Sequence, residues 1–138
     1  MGANISVLSL TKAANGAVTE KRFVGFDGAQ ITTQGAKVMG VAQYSQDDGK
    51  DLALDVVGTA IVETGGAVSA GEGAISDASG RAIATAGEIA VESGGTTVNS
   101  TAADGNILTG GELPEYVAGE FLESASGEGE FVEILLRR

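Results

Sequence analysis

Glycine-centred turn pairs punctuate this chain at Asp27-Gly28, Asp48-Gly49, Gly65-Gly66, Ser79-Gly80, Ser93-Gly94-Gly95, Asp104-Gly105, Gly110-Gly111 and Ser126-Gly127. Glycine takes positive φ without a Cβ clash, and tight hairpins demand that freedom. The stretches between the turns suit strands and leave little room for helices. The expected fold is therefore all-β: a small single-domain β-barrel or β-sandwich with Gly-rich hairpins and at most one short helix.

Inside those stretches the apolar residues alternate. Leu52, Leu54, Val56, Gly58, Ala60 and Val62 form one apolar or small row, while Asp51, Asp55, Thr59 and Glu63 interrupt the other. That pattern predicts a long strand with one buried face, and Gly58 within it predicts a bend or bulge. Val132, Ile134 and Leu136 alternate in the same way with Phe131, Glu133, Leu135 and Arg137, which predicts a terminal strand. Shorter strands are expected at Asn4 to Leu10, Lys21 to Phe26, Val38 to Tyr44, Arg81 to Ala84, Glu88 to Val91 and Asn106 to Leu108. A helix is permitted only over Leu113 to Ala125, where Leu113, Val117 and Phe121 are four apart and Pro114 falls in the first turn. Gly119 inside it counts against a helix. Ala-Gly-Glu recurs at Ala70, Ala86 and Ala118, but the flanking residues do not repeat, so a solenoid is not expected.

A length of 138 residues suits one domain over 1–138, with 1–10 as an N-terminal arm or an edge strand. Glycine and alanine fill 43 positions and there are only six aromatic residues, so the core must be thin. Support from neighbouring chains would compensate, since anything that binds only the folded state stabilises it. The chain has no histidine and no cysteine. Ser-His-Asp and Cys-His catalysis, zinc fingers, haem or iron–sulfur ligation and disulfide frameworks are thereby excluded. The expectation is a chain without a catalytic centre, cofactor or metal.

Net charge is −11, and its distribution is uneven. Lys12, Lys21, Arg22, Lys37, Lys50 and Arg81 are six of the eight basic residues, and Ala82 to Leu136 holds ten acids and no base. Such a surface repels a phosphate backbone, so nucleic acid is not an expected partner. No membrane partner is expected either. The apolar run Leu52 to Val62 is broken by Asp55 well short of about 18 residues, and Met1-Gly2-Ala3-Asn4 lacks the basic start of an export signal. Met1 to Ser6 fits a myristoylation pattern, and Asn4-Ile5-Ser6 and Asn99-Ser100-Thr101 fit glycosylation sequons, but patterns this short arise by chance.

Asp47-Asp48-Gly49-Lys50-Asp51 with Asp55 is the densest carboxylate cluster. It lacks the spacing of a calcium loop, and Asp48-Gly49 reads more simply as a hairpin turn with solvated charges beside it. Gly71-Glu72-Gly73 and Gly127-Glu128-Gly129 place a glutamate where a phosphate would sit, and read as turns. Glu120, Glu123, Glu128, Glu130 and Glu133 could pair as glycosidase carboxylates, but a sugar site lined with so few aromatics is not expected.

Two stretches carry a resemblance. The first comprises Lys37-Val38-Met39-Gly40-Val41-Ala42, Gly49 to Val62, Gly65-Gly66-Ala67-Val68-Ser69-Ala70-Gly71 and Ser76-Asp77-Ala78-Ser79-Gly80-Arg81-Ala82. The second is Gly119 to Gly127 followed by a strand ending Val132-Glu133-Ile134-Leu135-Leu136-Arg137. In this order they resemble the capsid decoration, or cement, proteins of tailed bacteriophages over Lys37 to Arg138, with a gap around Thr96 to Leu113. The segment Ser93 to Glu115 is longer and more acidic than the family pattern.

The resemblance implies a non-enzymatic all-β virion protein on the outer surface of the mature head. It implies a partner in the major capsid protein, whose neighbouring subunits it clamps, and a homotrimer at three-fold and local three-fold positions. Ile5, Val7, Leu8 and Leu10 are the candidate apolar capsid contacts, as a strand added to a partner or as an ordinary edge strand. Lys12, Lys21, Arg22 and Lys37 are the candidates for steering and orientation. The alternatives are an acidic Gly/Ala-rich surface or fibre module, and a small carboxylate-based ligand-binding or hydrolytic barrel.

Overall fold

The structure is a computed structural model and describes residues 2–85 and 115–137. Its strands are β1 (Ser6–Ala13), β2 (Phe23–Val24), β3 (Gly40–Ala42), β4 (Asp51–Gly65), β5 (Gly73–Ser76), β6 (Ala82–Ala84), β7 (Gly119–Phe121) and β8 (Glu128–Leu136). Strands β4, β6, β5, β7 and β8 hydrogen-bond in that order, and β8 returns to β4. The fold is thus a closed five-stranded barrel, which resolves the choice between barrel and sandwich. Strands β1 and β3 extend from the first half of β4, and β2 lies beyond β3.

The long strand anticipated from Leu52 to Val62 is the spine of the molecule. Its first half pairs with β1 and β3, and its second half, from Thr59, pairs with β8. The exchange of partners happens at Gly58, which has φ +107°. A Cβ there would lie 2.3 Å from the Ile5 carbonyl oxygen and 2.8 Å from the Val7 nitrogen. Only glycine lets β1 approach so closely, and β1 shifts register on both sides of Leu8 opposite this point.

Every barrel strand contributes to one core, with Ala60, Ala74 and Ala82 fully buried beside Val62, Phe121 and Ile134. Five strands enclose little space, so small side chains fill it, and this accounts for part of the alanine excess. A second cluster, around Val24, Ala42, Leu52, Leu54 and Val56, is built from β2, β3 and the first half of β4. The terminal strand behaves as its alternation predicts: Val132, Ile134 and Leu136 are buried, and Phe131 and Leu135 are exposed.

Two local expectations change. The described part of Leu113 to Ala125 contains β7 and no helix. Gly119 packs so tightly on β8 that a Cβ would lie 2.0 Å from the Leu135 carbonyl oxygen, and this strand contact overrides the helical spacing. The long strand also has more than one buried face, because Asp55 and Ile61 on its other row are buried too. Glu88 to Val91 and Asn106 to Leu108 lie outside the described residues. Asp48-Gly49 is a turn as expected, with Gly49 at φ +77° and an exposed Lys50–Asp47 ion pair at 3.1 Å.

Candidate functional site

Strand β1 pairs with the chain's own β4, so the apolar N-terminal stretch is an edge strand of this sheet. It buries almost nothing. Val7 is 74% exposed, Ile5 61%, Leu8 45% and Leu10 40%. A strand whose apolar side chains face water on both sides is a surface that gains by being covered.

The residues before β1 are held by polar contacts. The Ile5 N–H donates to Thr59 Oγ1 at 2.9 Å, and the Thr59 N–H donates to the Ile5 carbonyl at 2.8 Å. Thr59 Oγ1 donates to the Ala3 carbonyl at 3.2 Å. The Gly2 N–H donates to Glu123 Oε2 at 3.0 Å, and the Glu133 N–H donates to the same oxygen at 2.8 Å. The Glu133 and Gly2 amides together hold the Glu123 carboxyl below its ordinary range, against an opposing effect of desolvation. Residues 2–5 thus form a strap laid across the outside of the barrel.

Asp55 is the buried polar centre beneath this strap. Its carboxylate accepts from Gln43 Nε2 at 2.6 Å, Asn4 Nδ2 at 3.2 Å and Ser9 Oγ at 3.3 Å. No lysine or arginine pairs with it among the described residues. No local pattern signals this role, because the three donors are 12, 51 and 46 residues away. Asp55 is therefore not one of the solvated charges beside the Asp48-Gly49 turn.

The four basic candidates have different surroundings. Lys12 lies near the end of β1, and its side chain approaches Gly28. Lys21 adopts φ +60°, fixed by hydrogen bonds from its N–H to the Ala42 carbonyl and to its own carbonyl from the Glu63 N–H. Arg22 is engaged within the chain, forking onto Glu63 and donating to the Ser79 carbonyl at 3.2 Å. Lys37 is exposed, with Nζ 5.5 Å from the centre of the Phe26 ring. Phe26 and Lys37 border a depression of about 550 Å3 floored by Ile31. Among the described residues, no group of three or more acidic side chains is arranged to hold a metal ion.

A small-residue barrel carrying a pinned, exposed apolar strand defines a structural β protein that presents a surface. The chain matches the family model described as phage cement protein over residues 3–136, and it belongs to that family. The match extends the resemblance over Lys37 to Arg138 to nearly the whole chain. The protein is accordingly a structural component of the phage virion, associated with the head at the capsid surface. The fold is also similar to a solved structure, the head fibre gp8.5 N base in bacteriophage phi29. That likeness has a TM-score of 0.60 at 18% identity and covers 94% of this chain and 93% of the other. No curated protein matches the chain significantly.

Proposed function

We propose that the protein docks on the major capsid protein through β1, as a homotrimer at three-fold and local three-fold positions, and acts there without catalysis, cofactor or metal. The observation that carries this reading is the exposure of Ile5, just before β1, and of Val7, Leu8 and Leu10 on β1, a strand that its own chain already holds in place. Covering the exposed part of such side chains is worth roughly half of the about 1.5–3 kcal/mol that burying each from full exposure would bring. A trimer repeats the contact three times, so modest contacts suffice for firm attachment. The exposed Lys37 and the half-buried Lys12 and Lys21 orient the approach, because charges at the rim of a contact act more on encounter than on affinity. Arg22 shapes this region through its internal ion pair. The chain folds as one domain in this reading.

The test is rebinding of purified protein to heads that lack it. Val7→Ser and Leu8→Ser are expected to weaken rebinding about tenfold or more while leaving the melting temperature nearly unchanged, since both side chains are already exposed. Full-strength rebinding by both variants would place the contact elsewhere. These variants test the contact better than deletion of Met1 to Leu10, which would remove most of β1 from its own sheet.

A further inference from the structure

Most strands have their register set by hydrophobic pattern, because a slip of one residue turns core side chains out to water. Strand β1 lacks that protection. Seven of its eight residues are exposed, so a slip would cost little in burial. It also shifts register twice, between Ser6 and Leu8 and between Leu8 and Ser9. Something other than apolar burial must select the pairing.

We infer that Asp55 is a register pin for the N-terminal strand. Its carboxylate receives Asn4 from one side of the two shifts and Ser9 from the other, so both flanks of the irregular stretch are fixed to one acceptor. Asn4 cannot serve equally well in reverse. Its Oδ1 accepts from the Ile61 N–H at 3.0 Å, which obliges Nδ2 to face Asp55. Gln43 Nε2 donates both to Asp55, at 2.6 Å, and to Ser9 Oγ, at 2.9 Å, and holds the pin from the β3 side. A slipped strand would leave a buried carboxylate short of donors, and that penalty replaces the missing hydrophobic one. Gly58 admits the strand, and Asp55 selects its register. Asp55 is thus a positioning residue that fixes where Ile5 and Val7 point. The consequence for attachment rests on the docking role proposed for β1.

The chain has no cysteine, so engineered cross-links report register without interference. Leu8 lies opposite Val57, and the pair Leu8→Cys with Val57→Cys is expected to cross-link on mild oxidation. The pair Val7→Cys with Val57→Cys serves as the reporter of a slip. Adding Asp55→Asn, which replaces acceptor capacity with a further donor, is expected to lower the first yield and raise the second by about fivefold or more. If Asp55→Asn impairs folding, Asn4→Ala removes one flank of the pin and carries the same test. Cross-linking confined to the Leu8 and Val57 pair in the pin variants would overturn the inference. Head rebinding separates it from the docking role. Altered cross-linking with full rebinding would leave the pin standing and remove the contact, and unaltered cross-linking with loss of rebinding in Val7→Ser would do the reverse.

Discussion

Arg22 and Glu63 meet in a two-pronged ion pair, Nε to Oε2 at 3.0 Å and Nη2 to Oε1 at 3.2 Å. The pair joins the segment before β2 to the barrel strand β4, and the third nitrogen of Arg22 reaches the Ser79 carbonyl in the turn before β6. Both side chains are largely covered, with 22% and 17% exposure, so solvent weakens the pair only in part. Arg22→Ala is expected to lower unfolding stability by about 1–3 kcal/mol, as for hydrogen bonds between charged groups. Urea unfolding of Arg22→Ala, Glu63→Gln and the double variant measures this, and strictly additive losses would show that the two residues are not coupled.

Glycines in this chain differ in what they allow. At Gly119 a Cβ would lie 2.0 Å from the Leu135 backbone carbonyl, whereas at Gly127 nothing lies within 4 Å. Gly119→Ala should force β7 away from β8 and cost about 2 kcal/mol or more, while Gly127→Ala should stay within about 0.5 kcal/mol of the parent. Thermal melts of the two variants check the contrast, and equal melting temperatures would contradict the barrel closure described above.

The barrel interior makes a related prediction. Ala74 and Ala82 are fully buried on neighbouring strands β5 and β6, in a core already closed by Phe121 and Ile134. Ala74→Leu should destabilise by about 1–3 kcal/mol through overpacking, and Phe121→Ala by about 3–5 kcal/mol through loss of a large buried ring. Denaturant midpoints give the comparison. A neutral Ala74→Leu would mean that the interior holds unused space.

The strands most legible in the sequence are those whose alternation is long, such as β4 and β8. Their buried rows, Leu52 to Val62 and Val132 to Leu136, can be read residue by residue. The short strands are illegible for a physical reason. Gly73 to Ser76 and Gly119 to Phe121 span too few residues to show a period, and both begin at a glycine that resembles a turn or a helix break. Their conformation is imposed by pairing with distant strands. The same holds for Asp55. In the sequence it looks like a solvated interruption of an apolar row, and its burial becomes visible only when Asn4, Ser9 and Gln43 converge on it.

Glu123 links the N-terminal strap to pH. Its carboxylate accepts from the Glu133 and Gly2 amides, and its affinity for a proton is lowered in the folded state. A lowered folded value contributes stability that is present above the ordinary glutamate range and is lost as pH falls through the folded value. Amide exchange at Gly2 and Glu133 should therefore quicken as pH is taken from neutral to below the usual carboxylate range, after correction for the intrinsic rate. Glu123→Gln should flatten this dependence. An unchanged profile in that variant would mean that another carboxylate controls the strap.

Residues 86–114 depart from Thr85 and rejoin the described chain at Glu115. Thr85 Oγ1 donates to Glu115 Oε2 at 2.6 Å, so the points of departure and return are adjacent. Both ends are also fastened: the Thr85 N–H donates to the carbonyl of Gly73 in β5 at 2.9 Å, and the Tyr116 N–H donates to the carbonyl of Gly35, between β2 and β3, at 2.9 Å. A short linker can therefore span the gap without moving β6 or β7. Replacing 86–114 by about five glycine and serine residues shortens the closed loop by more than two doublings, which lowers the closure cost by roughly 1.5 kcal/mol. The replacement also removes Glu88, Glu92, Asp104 and Glu112 and no basic residue, which reduces self-repulsion in an acidic chain. The shortened protein is expected to melt at the parent temperature or above it, with β1 still cross-linking through the Leu8 and Val57 positions. Calorimetry decides the matter: a melting temperature lowered by about 10 °C or more, equivalent to a loss on the order of 2 kcal/mol, would show that 86–114 supplies part of the core.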